Sequence, residues 1–243
     1  MFKKLLLTTA IAAFTFNGAS AELTKMDVEK IVKDYLLENP EIIVESMEAL
    51  KIKEAVAKQK KSAENIAKNF KELTDTETAG FVGKEDGDIT VVEFFDYNCG
   101  YCKYVLPEVQ KLIDNDKNVK VVFREMPILG KASEQASLAA LAVYDMHPDR
   151  YFEFHRDLMN FKGRKNNDAV KVVAKQLGLD GDAIVKEAEK SKYTLIANRN
   201  KKLARDVGIN GTPAFIVGNE LIPGAAKYDR ISEIIARQRS DKK

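Results

Sequence analysis

Cysteine and histidine are almost absent from this chain: its 243 residues include two of each, Cys99 and Cys102, His147 and His155. Two cysteines cannot build the framework of structural disulfides found in many exported domains, and a bridge across so short a loop removes little entropy from the unfolded chain. A zinc site needs about four ligands, and the two histidines belong to no ligand motif. A Cu(I) carrier needs only two thiolates, so Cys99 and Cys102 remain open as copper ligands. Long apolar runs are missing too. The one uncharged, mainly apolar stretch, Leu5 to Phe16, is too short for a bilayer core of about 30 Å. Lys3 and Lys4 precede it and Ala19-Ser20-Ala21 follows. This pattern predicts a signal peptide over residues 1–21, cut after Ala21, with no cysteine behind it to take a lipid anchor. Excess charge is the last absence. Without the leader, Lys+Arg falls from 39 to 37 and equals the 37 Asp+Glu, so the balance gives no reason to expect nucleic acid or an anionic membrane as partner.

From Glu22 to Ala79 there is no glycine, charge is dense, and apolar residues recur at helical spacing. Thr24 opens a Thr-x-x-Asp capping pattern, which predicts a helix near 25–38. Asn39-Pro40 reads as an N-cap followed by a proline at the first position of a second helix. Ile43, Met47, Leu50, Glu54 and Ala57 then alternate four and three apart, a short and imperfect coiled-coil seam. The charged stretch Lys58 to Ser62 interrupts it, a solvated helix or a hinge near 58–64, before Ile66, Phe70 and Leu73 resume the pattern. Apolar stripes spread over this length overrun one small domain, which favours self-association of a stalk over 22–79.

Three glycines between Gly80 and Gly87 mark a domain boundary. Ile89 to Phe95 reads as a central strand buried on both faces, Val119 to Phe123 as a second strand, with a Pro107-containing helix between them. A helical insertion follows over about 131–190, with helices from Ser133 to Tyr144, from Pro148 to Leu158, from Asn167 or Asp168 to Gly178, and one capped by Asp182. Pro213 to Val217 and Glu220 to Ile222 form a hairpin turning at Gly218-Asn219, and Tyr228 to Arg237 closes the chain as a helix. The expected class is α/β.

A CxxC at a helix start suits dithiol exchange. Backbone N–H groups and the helix dipole stabilise a thiolate on Cys99, which comes first from the strand and is the exposed nucleophile. Cys102 is the covered thiol within reach to resolve a mixed disulfide. Glu93, inside the apolar strand six residues earlier, has its pKa raised by burial and can relay a proton to or from Cys102, unless a surface lysine satisfies it. Asp96 and Asn98 read as turn and cap residues. Pro213, after Gly211-Thr212, stands at a strand start, where proline is tolerated. His155 sits in an aromatic-rich helix and reads as core packing.

With VVEFFDYNCGYC, the helical insertion and GTPAF in that order, residues from about 80 to 240 resemble the DsbA-type family of bacterial periplasmic disulfide oxidoreductases. The resemblance implies a thioredoxin fold with an inserted helical domain, Cys99 as nucleophile, Cys102 as resolving thiol, a buried acid at Glu93, a cis peptide before Pro213 and no cofactor. Substrate contacts fall to Thr212, Pro213, Gly100 and Tyr101. Two departures, Gly100-Tyr101 without a histidine and Thr212 in place of valine, look like the isomerase side of the family. The helices around YLLENPEII look like those of the ScsC (suppressor of copper sensitivity) proteins, some of which trimerise through such a segment. That similarity implies a homo-oligomer, a trimer favoured, held together by residues 22–75. It would act as an isomerase on misfolded or oxidised periplasmic proteins and be kept reduced by a membrane-bound partner. A monomeric dithiol oxidase and a Cu(I)-binding copper-tolerance protein are the alternatives.

Overall fold

The computed structural model describes residues 23–241, so the expected signal segment 1–21 and its cleavage position lie outside the described residues. The chain divides into two compact units, 1–54 and 55–243. In the first, helix α1 (Lys25–Glu38) begins at a complete capping box. The Asp27 N–H donates to Thr24 Oγ1 at 3.3 Å and the Thr24 N–H donates to the Asp27 carboxylate at 3.0 Å. Helix α2 spans Glu41–Leu73 and includes the charged stretch from Lys58 to Ser62. Asn39 does not cap it. Its backbone N–H and its side-chain amide both donate to the Tyr35 carbonyl at 2.9 Å, because the unpaired carbonyls at the end of α1 compete for the same donors. No residue of α1 is buried, and Val28, Ile31, Val32 and Tyr35 of α1 stand exposed, as do Ile43, Met47 and Leu50 of α2.

The second unit is built on a five-stranded sheet in the order β1-β3-β2-β4-β5. Strand β2 (Ile89–Phe95) is central, with β3 (Val119–Glu125) parallel on one side and β4 (Ala214–Val217) antiparallel on the other. The edges are β1 (Gly80–Gly83) and β5 (Glu220–Pro223), both antiparallel to their neighbours. Helix α3 (Gly100–Asn115) connects β2 to β3, as a parallel pair requires. The helical insertion comprises α4 (Lys131–Met146), a 3-10 turn at Pro148–Arg150, α5 (Tyr151–Asn160), α6 (Asn167–Gln176) and α7 (Gly181–Ala188). Helix α8 (Ser191–Asp206) leads to β4, and α9 (Tyr228–Asp241) ends the described chain.

Side chains alternate across the sheet. Val91, Phe95, Val121 and Phe123 meet α3, α9 and the insertion helices in one core, while Val92, Phe94, Val122 and Ile216 meet Ile66 and Leu73 of α2 and Leu203 and Ala204 of α8 in another. The segment read as stalk is therefore shared: residues from 55 belong to the second unit, where Ile66, Leu73 and Ala79 are fully buried and cover the second face of the sheet. Three local details differ from the expectations or add to them. Asp180, not Asp182, caps α7, its carboxylate accepting the N–H groups of Asp182 and Ala183 at 3.0 Å. The glycines read as a domain boundary begin with an edge strand, Gly80–Gly83; glycine suits it because the Tyr151 ring lies where a Gly80 side chain would start. Helix α8 had no expected counterpart, its buried stripe being Tyr193, Ala197, Asn200, Leu203 and Ala204, small or polar at several turns. Among the described residues no helix is long and apolar enough to cross a membrane.

Candidate active site

The carboxyl end of β2 delivers the chain to the start of α3. Asp96 fixes this turn: its carboxylate accepts the N–H of Asn98 at 2.8 Å and those of Ile128 and Leu129 at 2.8 and 3.0 Å. Asn98 is not a helix cap but a clamp between loops, exchanging two hydrogen bonds with the Lys165 backbone at 2.9 and 3.1 Å and donating to Ser133 Oγ at 3.2 Å. Cys99 itself occupies the N-cap position of α3, with no side chain closing the helix end. The first N–H groups of the helix are thus left for its sulfur.

Neither cysteine is bonded to the other. The Cys99 thiol donates to the Thr212 carbonyl at 3.3 Å, and the Thr212–Pro213 peptide is cis. Cys99 was expected to be exposed; it keeps 8% of its surface, against 1% for Cys102, because the Thr212 backbone lies against it. The two thiols differ sharply in acidity. Cys99 is held down to about 5, first by the Cys102 thiol, then by Thr212 and the N–H groups of Cys102 and Tyr101, with partial burial opposing. Cys102 is pushed up by burial, by its hydrogen bond with Cys99 and by the charge of Glu93. Gly100 and Tyr101 form the first turn of α3, and Tyr101 is 69% exposed.

Glu93 is buried, and among the described residues no lysine pairs with it. Burial first and the Cys99 charge second raise its carboxyl to about 8. A second acid went unread in the sequence. Glu125, two positions past the expected end of β3, has no exposed surface and no well-formed hydrogen bond to either oxygen, and burial pushes its pKa well up. The signal was present: Val119, Val121 and Phe123 fix a phase of two that puts Glu125 inside. His155 packs as expected, in contact with Phe95, Phe123, Tyr151 and Phe152, bonded to Tyr97 Oη at 3.1 Å and held neutral by burial, which lowers it to about 3. Arg124, also unread, faces the other side of the sheet. Its guanidinium donates to the carbonyls of Leu73 (3.2 Å), Asp75 (2.7 Å) and Glu72, and to Thr78 Oγ1 at 3.0 Å. It receives the carbonyls that the end of α2 leaves unpaired. Among the described residues no three or more His, Cys, Asp or Glu side chains gather as a metal site.

A low-pKa thiol, a buried partner thiol and a buried acid titrating near neutrality can take a disulfide apart and pass a proton while doing so. Residues 90–236 match the DSBA-like thioredoxin domain, and residues 25–57 match the copper resistance protein ScsC N-terminal domain. Disulfide bond formation protein D of Bacillus subtilis is 28% identical over 65% of this chain and 75% of its own. A thioredoxin-like oxidoreductase from Silicibacter pomeroyi superposes with a TM-score of 0.67 at 39% identity, over 70% of this chain and 97% of that one. A linker-deletion mutant of Proteus mirabilis ScsC does so at 0.66 and 27% identity, over 92% of this chain and 100% of that one.

Proposed function

The chain belongs to the family of DsbA-like thioredoxin domains, as a thiol-disulfide oxidoreductase of the DsbA and ScsC type, and from this premise we propose that it is an exported, periplasmic and oligomeric disulfide isomerase. The observation that carries the chemistry is the acidity difference between Cys99 and Cys102 beside buried Glu93. The Cys99 thiolate attacks one sulfur of a substrate disulfide. That bond breaks, the other sulfur leaves as a thiolate, and a Cys99 mixed disulfide forms. In isomerisation the freed thiolate attacks a second substrate disulfide, and the thiolate so released attacks the substrate sulfur bonded to Cys99. A new substrate disulfide forms, the mixed disulfide breaks, and the Cys99 thiolate is regenerated with no net change in electrons. If the substrate stalls, Cys102 gives its proton to Glu93 and attacks Cys99, releasing reduced substrate; a membrane-bound partner then reduces the pair. Thr212, Pro213, Gly100 and Tyr101 are the surfaces a substrate segment meets first.

The exposed apolar faces of α1 and early α2, together with the ScsC-type match over 25–57, support assembly through this segment, with a trimer favoured. Tethered sites raise the effective concentration for the second exchange. The test is light scattering and reactivation of a scrambled disulfide protein, with the full chain and with a chain starting at residue 55, which keeps α2's buried contacts. Oligomer falling to monomer, with reactivation lost and dithiol reductase activity kept, is the expected result. A monomeric full chain overturns the isomerase reading and leaves the oxidase.

A further inference from the structure

The residues that bracket the CxxC motif also hold the loop that follows α5. Asn98, just before Cys99, exchanges two hydrogen bonds with the Lys165 backbone, and Lys103, just after Cys102, donates from Nζ to the Asn160 carbonyl at 3.1 Å. Both ends of the 160–165 segment are therefore tied to the turn that carries the cysteines. This segment is cationic: Lys162, Arg164 and Lys165 fall between Phe161 and Asn166, with no acid among them. Lys162 and Arg164 are exposed on either side of Gly163, whose φ of +100° turns the loop outward.

These cations lack a direct ion pair among the described residues, although Asp96 lies close enough to favour the Lys165 charge. Among the described residues, none of Lys103, Lys162, Arg164 and Lys165 forms an ion pair with a carboxylate; what sets them apart from other unpaired lysines, such as Lys131 and Lys175, is that they gather beside the CxxC turn. Lys165 retains 8% of its surface, and its ammonium is disfavoured by burial and then by Lys103, with the Asp96 carboxylate opposing. Asp96, the acid nearest in sequence to the motif, is already engaged by three backbone N–H groups. Nor is the loop needed for the Cys99 thiolate, whose stabilisation comes from hydrogen bonds. Unpaired positive charge fixed at the edge of a reactive thiol, next to Tyr101 and Tyr104 at 69% and 60% exposure, is an electrostatic surface awaiting the opposite sign.

We propose that this loop and Lys103 form a rim that selects disulfides flanked by carboxylates, so that the preferred substrates are acidic polypeptide segments. The inference rests on the dithiol reading above. Two synthetic peptide disulfides of the same sequence, one with glutamates and one with lysines around the cystine, are mixed with the reduced full chain, and the rate of reduction is followed at low and high salt. The acidic peptide should react about tenfold faster at low ionic strength, and the ratio should fall below about twofold in 0.5 M salt. The double variant Lys162→Glu, Arg164→Glu should bring the low-salt ratio to one or below. The salt series on the unaltered protein needs no variant, so it stands if the double variant fails to fold. Equal rates at low salt, or a preference that survives both salt and charge reversal, overturns the rim; failure of both peptides to react overturns the dithiol reading instead.

Discussion

Replacing Glu93 with Gln keeps the shape of the side chain and removes its proton equilibrium. In the folded, reduced protein this carboxyl titrates near 8, against an ordinary value of 4.5. Between those values the unfolded chain is ionised while the folded chain still holds the proton. The folded state binds more protons there, and stability falls as pH rises. The cost reaches about 3 kcal/mol at pH 7, against about 0.2 kcal/mol at pH 4. Glu93→Gln should therefore be close to neutral in urea unfolding at pH 4 and more stable than the parent by about 3 kcal/mol at pH 7, less whatever the new amide loses by finding no partner. Catalysis should move the other way. In the reduced protein about one carboxyl in ten is ionised at pH 7 and half at pH 8, and loss of the Cys99 charge in the mixed disulfide raises the fraction free to accept the Cys102 proton. In the mixed disulfide Cys99 carries no charge and only burial raises Glu93, so release of substrate should climb with pH and level off below 8, while Glu93→Gln releases about a hundredfold more slowly and without that rise. Quenched mixed disulfide, followed by gel shift after thiol alkylation, measures the rate. A stability gain equal at both pH values, or an unchanged pH profile in the variant, refutes the argument that this acid is held protonated by burial.

The ionisation of Cys99 should appear directly: alkylation of the reduced protein should reach half its limiting rate near pH 5, and Cys102→Ala should shift that midpoint upward, since the Cys102 thiol is the largest stabiliser of the thiolate. A midpoint near 9 in the parent counts against the site. Arg124→Met should cost about 3 kcal/mol in urea unfolding by leaving buried carbonyls unpaired, with Arg124→Lys recovering part of it. A loss under about 1 kcal/mol in Arg124→Met means that the end of α2 is held by its apolar contacts alone.

Strand β2 was legible to the residue because VVEFF is β-branched and aromatic throughout, and the helix after it because Val105, Val109 and Leu112 recur at helical spacing. The capping box at Thr24 was legible because it is a contact between residues three apart. What stayed hidden depended on partners distant in sequence. Asn98 and Lys165 meet across 67 positions, and Arg124 reaches carbonyls about 50 positions earlier. Glu125 was lost because charge at a strand end reads as the end of the strand, when its phase placed it inside. The burial of Ile66 and Leu73 was hidden because their spacing continues that of the exposed seam before them; only the sheet beneath distinguishes the two halves of α2.

Arg124 and Glu125 stand back to back on one strand, a guanidinium toward the end of α2 and a carboxyl toward the aromatic side chains around His155. Strands buried on both faces carry little alternation, and the Val and Phe runs of β2 and β3 would fit one another almost as well after slipping by a residue. A slip would turn the cation into the aromatic core and aim the carboxyl at carbonyl oxygens, stranding the guanidinium at a cost of several kcal/mol. The neighbouring cation and buried acid thus work as an alignment key for the sheet, and any homologous chain that loses the cation needs another way to tell its two faces apart.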